Sequence, residues 1–364
     1  MLPPAPDAVA PPAALVTGRR PPSRWWIAAI AGWVLAGAVV AAATIKVPYV
    51  ALRPGSARPV SEQVVVDGAE SFPPAESVAF TTVNVRSVSL LEAVEGWLSD
   101  DIDVLPEARV RGDRSEEENR RYNAQLMDTS KLTAIAVALE HLGQEVEIRT
   151  SGTVVRQIAA DAPAAEVLEI DDVIVAVDGE PVDEVDEIGR LLQPGGPGAT
   201  HTLTLERPAG STTRLDVEVT TIAATDNPER AIIGIAPEER IVDYDFPLDV
   251  TIDTGRVGGP SAGLAFTLAV LDVLTPGELT GGHRVAVTGT MALDGTVGPV
   301  GGAAQKAVTV RDAGYEVFLV PSDELEQVRE AIGDDLVVVA VDSLDEALEA
   351  LASLGGNAGS LALP

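Results

Sequence analysis

The sequence predicts a multidomain α/β and β protein with one N-terminal transmembrane helix, a β-rich module in mid-chain and a C-terminal α+β domain. Three observations predict it: an uncharged apolar run at 25–45, short β-prone runs across 145–222, and strands alternating with helices over 228–352. With 364 residues, 46% of them hydrophobic, the chain can fill several cores.

The apolar run WWIAAIAGWVLAGAVVAAATI, read as a helix at ~1.5 Å per residue, spans roughly 30 Å, the thickness of a bilayer core. Tryptophans at 25, 26 and 33 suit an aromatic belt, and Arg19, Arg20 and Arg24 precede the run, so the positive-inside rule places residues 1–24, a Pro-rich tail, in the cytoplasm. Lys46, Arg53 and Arg58 follow on the other side and narrow that margin. A buried core helix is one alternative and a signal peptide cut after Ala41-Ala42-Ala43 another; the long leader and long apolar run favour the anchor. On either export reading the bulk of the chain lies outside the cytoplasmic membrane.

Residues 46–144 read as a mixed extracytoplasmic region, β-prone at 64–66 and 80–85 and then helical. RSEEENRRYNAQLMD at 114–128 reads as a solvated helix whose Glu116, Glu117 and Glu118 form a surface face, and 129–142 carries Leu132, Ile135, Ala136 and Leu139 at helical spacing,. No chemistry is legible there. The module at 145–222 offers strands at 153–158, 173–177, 202–205 and 215–219 and a helix at 185–192.

Composition closes several routes. A net charge of −31, from 25 basic and 56 acidic residues, argues against a nucleic-acid partner. Cysteine is absent, which excludes a thiol nucleophile, disulfides and thiolate metal sites. His141, His201 and His283 have no ligand spacing, and neither H-E-x-x-H nor G-x-x-x-x-G-K-[ST] occurs, so no metal, nucleotide or other cofactor is expected.

In the C-terminal domain the expected order is strands at 231–235 and 249–252, a helix at 261–274, a strand at 284–288, a helix at 303–312, then 317–321, 324–332, 336–341 and 344–351, with a flexible tail over 353–364. Two glycine-rich joints stand out. GRVGGPSAG at 255–263 delivers Ser261 to the start of an apolar helix, beside free N–H groups and the positive end of the helix dipole, both suited to an oxyanion. Alone, Ser261 could equally be an N-cap. TGTMALDGTVGPVGGAAQK at 288–306 ends on Lys306, one turn into an apolar helix. Burial there would bring its amine towards neutrality and fit it to take a serine proton; alone it could be a surface lysine.

Together the joints resemble the Lon peptidase family: Gly259-Pro260-Ser261-Ala262-Gly263 matches its nucleophile motif, and Thr288 and then Lys306 follow in that family's order and spacing. The resemblance implies a Lon-type proteolytic domain in which Ser261 is the nucleophile, Lys306 the base, Thr288 the hydroxyl that orients the lysine, and N–H groups near Ser261 the oxyanion hole. Gly258 stands where many members carry Asp, and Thr290 where they carry Glu. In the middle module, Asp161-Ala-Pro-Ala-Ala and LEIDDVIVAVDGEPV at 168–182 resemble a PDZ core with an Asp-Gly turn, implying a groove that takes a peptide by strand addition. No Gly-Leu-Gly-Phe loop is present; only Leu142-Gly143 is suggestive. The alternative is a spacer.

The whole chain resembles the bacterial membrane-anchored, PDZ-containing Lon-like proteases. That implies an ATP-independent serine endopeptidase acting on unfolded or flexible polypeptides, with peptide ligands at the PDZ-like groove, the membrane as a partner, and a homo-oligomer by analogy with Lon rings. A PDZ-based membrane adaptor with a silent or conditionally active protease domain is the alternative.

Overall fold

The computed structural model describes residues 25–112, 114–207 and 213–363; the expected tail at 1–24 lies outside them. In chain order the elements are α1 (Trp25–Thr44), β1 (Lys46–Pro59), β2 (Val64–Asp67), β3 (Ala79–Ser89), α2 (Leu90–Trp97), β4 (Asp103–Pro106), α3 (Glu107–Arg111) and α4 (Glu116–His141). The middle module follows with β5 (Glu147–Ile158), β6 (Val173–Val177), β7 (Glu180–Pro181), α5 (Val185–Leu191), β8 (Thr200–Glu206), β9 (Arg214–Thr220), β10 (Ile222–Ala223), β11 (Ala231–Ile232) and β12 (Ile235–Asp245). The chain closes with β13 (Asp249–Ile252), α6 (Gly263–Leu274), β14 (Val285–Val287), β15 (Thr290–Met291), β16 (Val297–Gly298), α7 (Ala303–Asp312), β17 (Val317–Val320), α8 (Leu325–Ile332), β18 (Val337–Ala340) and α9 (Leu344–Ser353).

Two compact units result, 25–53 with 84–112 and 54–83 with 114–363. In the smaller unit α1 is long and apolar enough to cross a membrane and buries none of its side chains. The start of β1 pairs antiparallel with β4, and Ala51, Val88 and Ala93 form a small core with Tyr49, Ile102 and Val104 around it. A capping box of Ser89 and Glu92 starts α2, satisfying its first free amides. Gly96 lets α2 lie close to β4, since a Cβ there would stand 2.4 Å from Val104 Cγ2.

The larger unit is built on parallel pairing of β3 with β14, β14 with β17 and β17 with β18. The central strands β14 and β17 are apolar and buried along their whole length, as a parallel sheet between helices requires. Val285, Val287, Val317 and Leu319 join a core with α4, α6 and α9, whereas Ala286, Phe318 and Val320 join another with α7 and α8. Period-two alternation of side chains divides them.

The first of these cores crosses the expected boundary near residue 144. Val64, Phe80, Met127 and Leu139 pack with Phe266, Leu268 and Leu351, β2 pairs with β13, and Phe80 meets Phe266 at 5.8 Å between ring centroids. The middle module is therefore inserted into the chain of this core. The stretch 114–142 is mostly one helix, α4, opened by a Ser115–Glu118 capping box; its first turns are exposed and its second half buried. Leu142 and Gly143 end that helix, so they are no ligand loop. The expected flexible tail also packs: Ala358 is buried against the core with Leu361 and Leu363 beside it, and Asn357 Nδ2 donates to Pro276 O at 2.8 Å.

The module is an antiparallel sheet in the order β12-β5-β6-β8-β9, with β7 paired to β6. Asp178 and Gly179, both at positive φ, make the hairpin turn expected there. Buried His201 bonds the Asp178 carboxylate at 2.6 Å and pins that turn. The strand expected at 231–235 divides into β11 and the start of β12, and β12 pairs with β5. The module thus runs to Asp245, well past the expected end at 222. Pro237 and the charges of IAPEERIVDYD conceal its alternation.

Candidate active site

Ser261 lies in the turn that enters α6, which starts two residues later at Gly263. Gly259 takes φ +94°, a left-handed conformation that glycine adopts without strain,. Gly263 is required for close approach: a Cβ there would fall 2.7 Å from Met291 N. This lets α6 run directly against β15. The loop is sewn to the end of β14, because Gly289 N–H donates to Ser261 O at 3.0 Å and Leu264 N–H donates to Gly289 O at 3.2 Å.

Thr288 and Lys306 meet the same loop. Thr288 Oγ1 donates to Ser261 O at 3.1 Å and accepts from Lys306 Nζ at 2.9 Å. Both side chains are fully buried, Lys306 at 1% exposure. Gly302, in the left-handed conformation, starts α7 and carries Lys306 inward on its first turn. Stripped of water, the lysine amine falls to about 7, even though the charge of Glu324 pulls the other way,. Ala303 and Ala307, on the same helix, are buried in the core beside it. Among the described residues no hydrogen bond joins Lys306 to the Ser261 hydroxyl.

Sequence reasoning missed the contribution of α4. Asn123 O accepts from Gly259 N–H at 2.8 Å, and Ser130 Oγ donates to Pro260 O at 3.1 Å. Gly258 lies against Asn123, where a Cβ would come within 3.1 Å of that side chain. A buried serine and threonine, Ser130 and Thr133, amid an apolar helical face were the only local signal. Gly259 N–H is held by Asn123 and Gly263 N–H by Pro260 O at 3.3 Å, whereas the amides of Ser261 and Ala262, like those of Arg256, Val257 and Gly258 earlier in the loop, have no acceptor among the described residues.

The other strongly shifted group is Asp272, at the far end of α6. Burial raises its carboxyl to about 7, opposed by the Leu279 N–H that it accepts at 3.0 Å. Its place at the closing turn of the helix assigns it to the fold. Among the described residues no cluster of three His, Asp or Glu side chains could hold a metal ion.

Residues 245–353 match the family model of the Lon protease (S16) C-terminal proteolytic domain, and 154–207 that of the PDZ domain. Lon protease of Campylobacter concisus is 31% identical over 110 residues, 29% of this chain and 13% of that protein. Lon protease 1 of Bacillus subtilis is 31% identical over 120 residues, covering 32% and 15%; Lon protease of Clostridioides difficile is 36% identical over 103, covering 27% and 13%. The matching stretch thus spans a small part of these relatives. Among solved structures, the PDZ domain of the SdrC-like protein of Listeria monocytogenes is 22% identical, with a TM-score of 0.22, over 25% of this chain and 92% of that one. Behind an apolar N-terminal helix, the chain carries one stretch that matches the PDZ domain and one that matches the Lon protease (S16) C-terminal proteolytic domain.

Proposed function

We propose that the protein is an ATP-independent serine endopeptidase in which Ser261 and Lys306 form a catalytic dyad, cleaving unfolded or flexible polypeptides outside the cytoplasmic membrane. The observation that carries this is the buried Lys306 amine, lowered to about 7 and tied through Thr288 to the backbone of the nucleophile loop. Near neutral pH about half of such amines are unprotonated, which suits a general base.

In the reaction the neutral Lys306 amine turns from Thr288 and takes the Ser261 hydroxyl proton as Oγ bonds to the scissile carbonyl carbon. The carbonyl oxygen becomes an oxyanion, and the free amides of Ser261 and Ala262 are the donors in place to receive it. Collapse breaks the C–N bond, and the Lys306 ammonium gives its proton to the leaving amine. Lys306 then deprotonates the water that opens the acyl-enzyme and returns the proton to Ser261 Oγ. Thr288 receives the amine again when the cycle is complete, which returns it to the loop side of α7.

Independence from ATP rests on the absence of a nucleotide-binding loop from these 364 residues, and the location on α1 with the basic residues before it. Peptide addition is assigned to β12, one of the two edge strands of the PDZ-like sheet, where main-chain pairing supplies affinity. Self-association of the peptidase domains belongs to the same proposal. One observation favours the adaptor reading with conditional activity: Lys306 rests on Thr288 and not on the Ser261 hydroxyl.

The test uses the full chain in nanodiscs with a disordered protein substrate and a serine-directed covalent probe. Ser261→Ala and Lys306→Ala are each expected to lower cleavage by about 10³-fold or more, with probe labelling on Ser261 lost in both. Wild-type rates in either variant would overturn the dyad. Selective peptide capture without wild-type turnover would transfer the reading to the adaptor.

A further inference from the structure

The helix that follows β3 turns its apolar residues the wrong way for a water-soluble domain. In α2, Leu90, Leu91, Val94, Trp97 and Leu98 at its end recur at the spacing of one helical face, a stripe roughly 120° wide. All five are exposed, Trp97 at 57% and Leu98 at 83%, while the opposite side, Ala93 and Gly96, is buried. The fold therefore consumes the small residues and presents the large ones. The two acids within the helix are both answered by cations, Glu92 by Lys46 at 3.6 Å and Glu95 by Arg53 at 3.5 Å, and the exposed Asp100 and Asp101 come only after the stripe ends at Leu98. Trp97 is held edge-on by Tyr49 at 5.9 Å.

What covers the stripe follows from its neighbour. Within the same unit α2 packs against α1, and the only half-buried residues of α1 are Ala41 and Ala42, at its C-terminal end. The stripe thus lies at the end of the apolar span where the chain leaves it. We propose that α2 is an interfacial helix that lies in the headgroup layer of the bilayer crossed by α1, with Leu91, Trp97 and Leu98 reaching the acyl boundary. An amphipathic helix with tryptophan and leucine on one face binds that layer through its apolar area. The smaller unit would then be fixed to the membrane at two points, and its angle to the bilayer set. This rests on the reading of α1 as a membrane span.

The test exploits the four tryptophans and the absence of cysteine. Two single-tryptophan full-length proteins, one retaining Trp97 and one Trp33 with the others changed to Phe, are placed in phosphatidylcholine nanodiscs with and without brominated acyl chains. Bromine is expected to reduce Trp97 emission about twofold or more and to quench Trp33 as well. Quenched Trp33 with unquenched Trp97 overturns the proposal and leaves the span standing; if neither is quenched, the span reading falls and the proposal with it. Leu98→Cys with a nitroxide label, in the otherwise natural chain, gives a second measure: greater collision with oxygen than with a water-soluble nickel complex is expected. Efficient disulfide linkage between two Leu98→Cys chains, with the label accessible to nickel, would instead assign the stripe to a second copy and overturn the lipid assignment.

Discussion

A lysine buried away from water costs the fold stability wherever the unfolded chain would hold its proton, and Lys306, 1% exposed, is such a residue. Its folded value of about 7 lies below the ordinary 10.5, so between these values the unfolded chain holds a proton that the folded one has released. Stability must therefore rise with pH across that window. Lys306→Met, which keeps the length and drops the charge, is expected to melt at a higher temperature than the natural protein at pH 7, with a gap that shrinks towards pH 10; thermal melts at both pH values read it. A gap that does not change with pH would mean that the lysine is hydrated. In the proposed dyad activity follows the same group in the same direction, since kcat/KM should climb as pH passes through about 7,. Thr288, Ser261 and Lys306 were legible because the chain brings them together within two adjoining joints. The partners on α4 were not, because nothing local relates Asn123 or Ser130 to a loop more than a hundred residues onward.

At the scale of elements, α4 behaves as a brace for the Ser261 loop. It grips the loop twice, by accepting from Gly259 N–H and by donating to Pro260 O. Ser130→Ala is expected to reduce kcat by about 10-fold with little change in KM, the mark of a lost geometry and not of lost binding, and to slow probe labelling of Ser261 in proportion. Ser130→Thr, which retains the hydroxyl, should recover most of that loss. A fall in KM-linked binding alone, with normal labelling, would count against the brace. The amphipathic second half of α4 was readable from Leu132, Ile135, Ala136 and Leu139, but Leu132 is 40% exposed whereas Ala134, Ala138 and Leu139 are fully buried. The stripe was recognised and its centre displaced, because small alanines pack where the helix comes closest to α6.

Across the molecule, the peptidase core is assembled from pieces on both sides of the PDZ module. Residues 228–352 looked self-sufficient because alternating strands and helices are local patterns, whereas the pairing of β2 with β13 and β3 with β14 is written only in apolar runs such as Val64-Val65-Val66 that could serve any sheet edge. A chain of residues 228–364 alone is expected not to fold. It would expose the face of α6 that α4 covers and the edge of β14 that β3 occupies, an aggregation-prone edge. Dispersed amide signals and a cooperative melt from that fragment would refute the shared core, and adding residues 54–143 as a separate chain should restore solubility.

Insertion of the PDZ module also sets a timetable for synthesis. β2, β3 and α4 leave the ribosome first, and their partners β13, α6 and β14 only after the whole of 147–245 has been made. At ~5–20 residues per second the apolar face of α4 waits on the order of ten seconds for its cover, and the contacts that finally close are far apart in sequence, which slows closure further. The module has its own core in Val155, Ile174 and Leu203 and can fold during that interval, bringing the two ends of the split domain towards each other. The inserted domain then acts as a splint for the split domain, holding the neighbours of the Ser261 loop in waiting until that loop arrives.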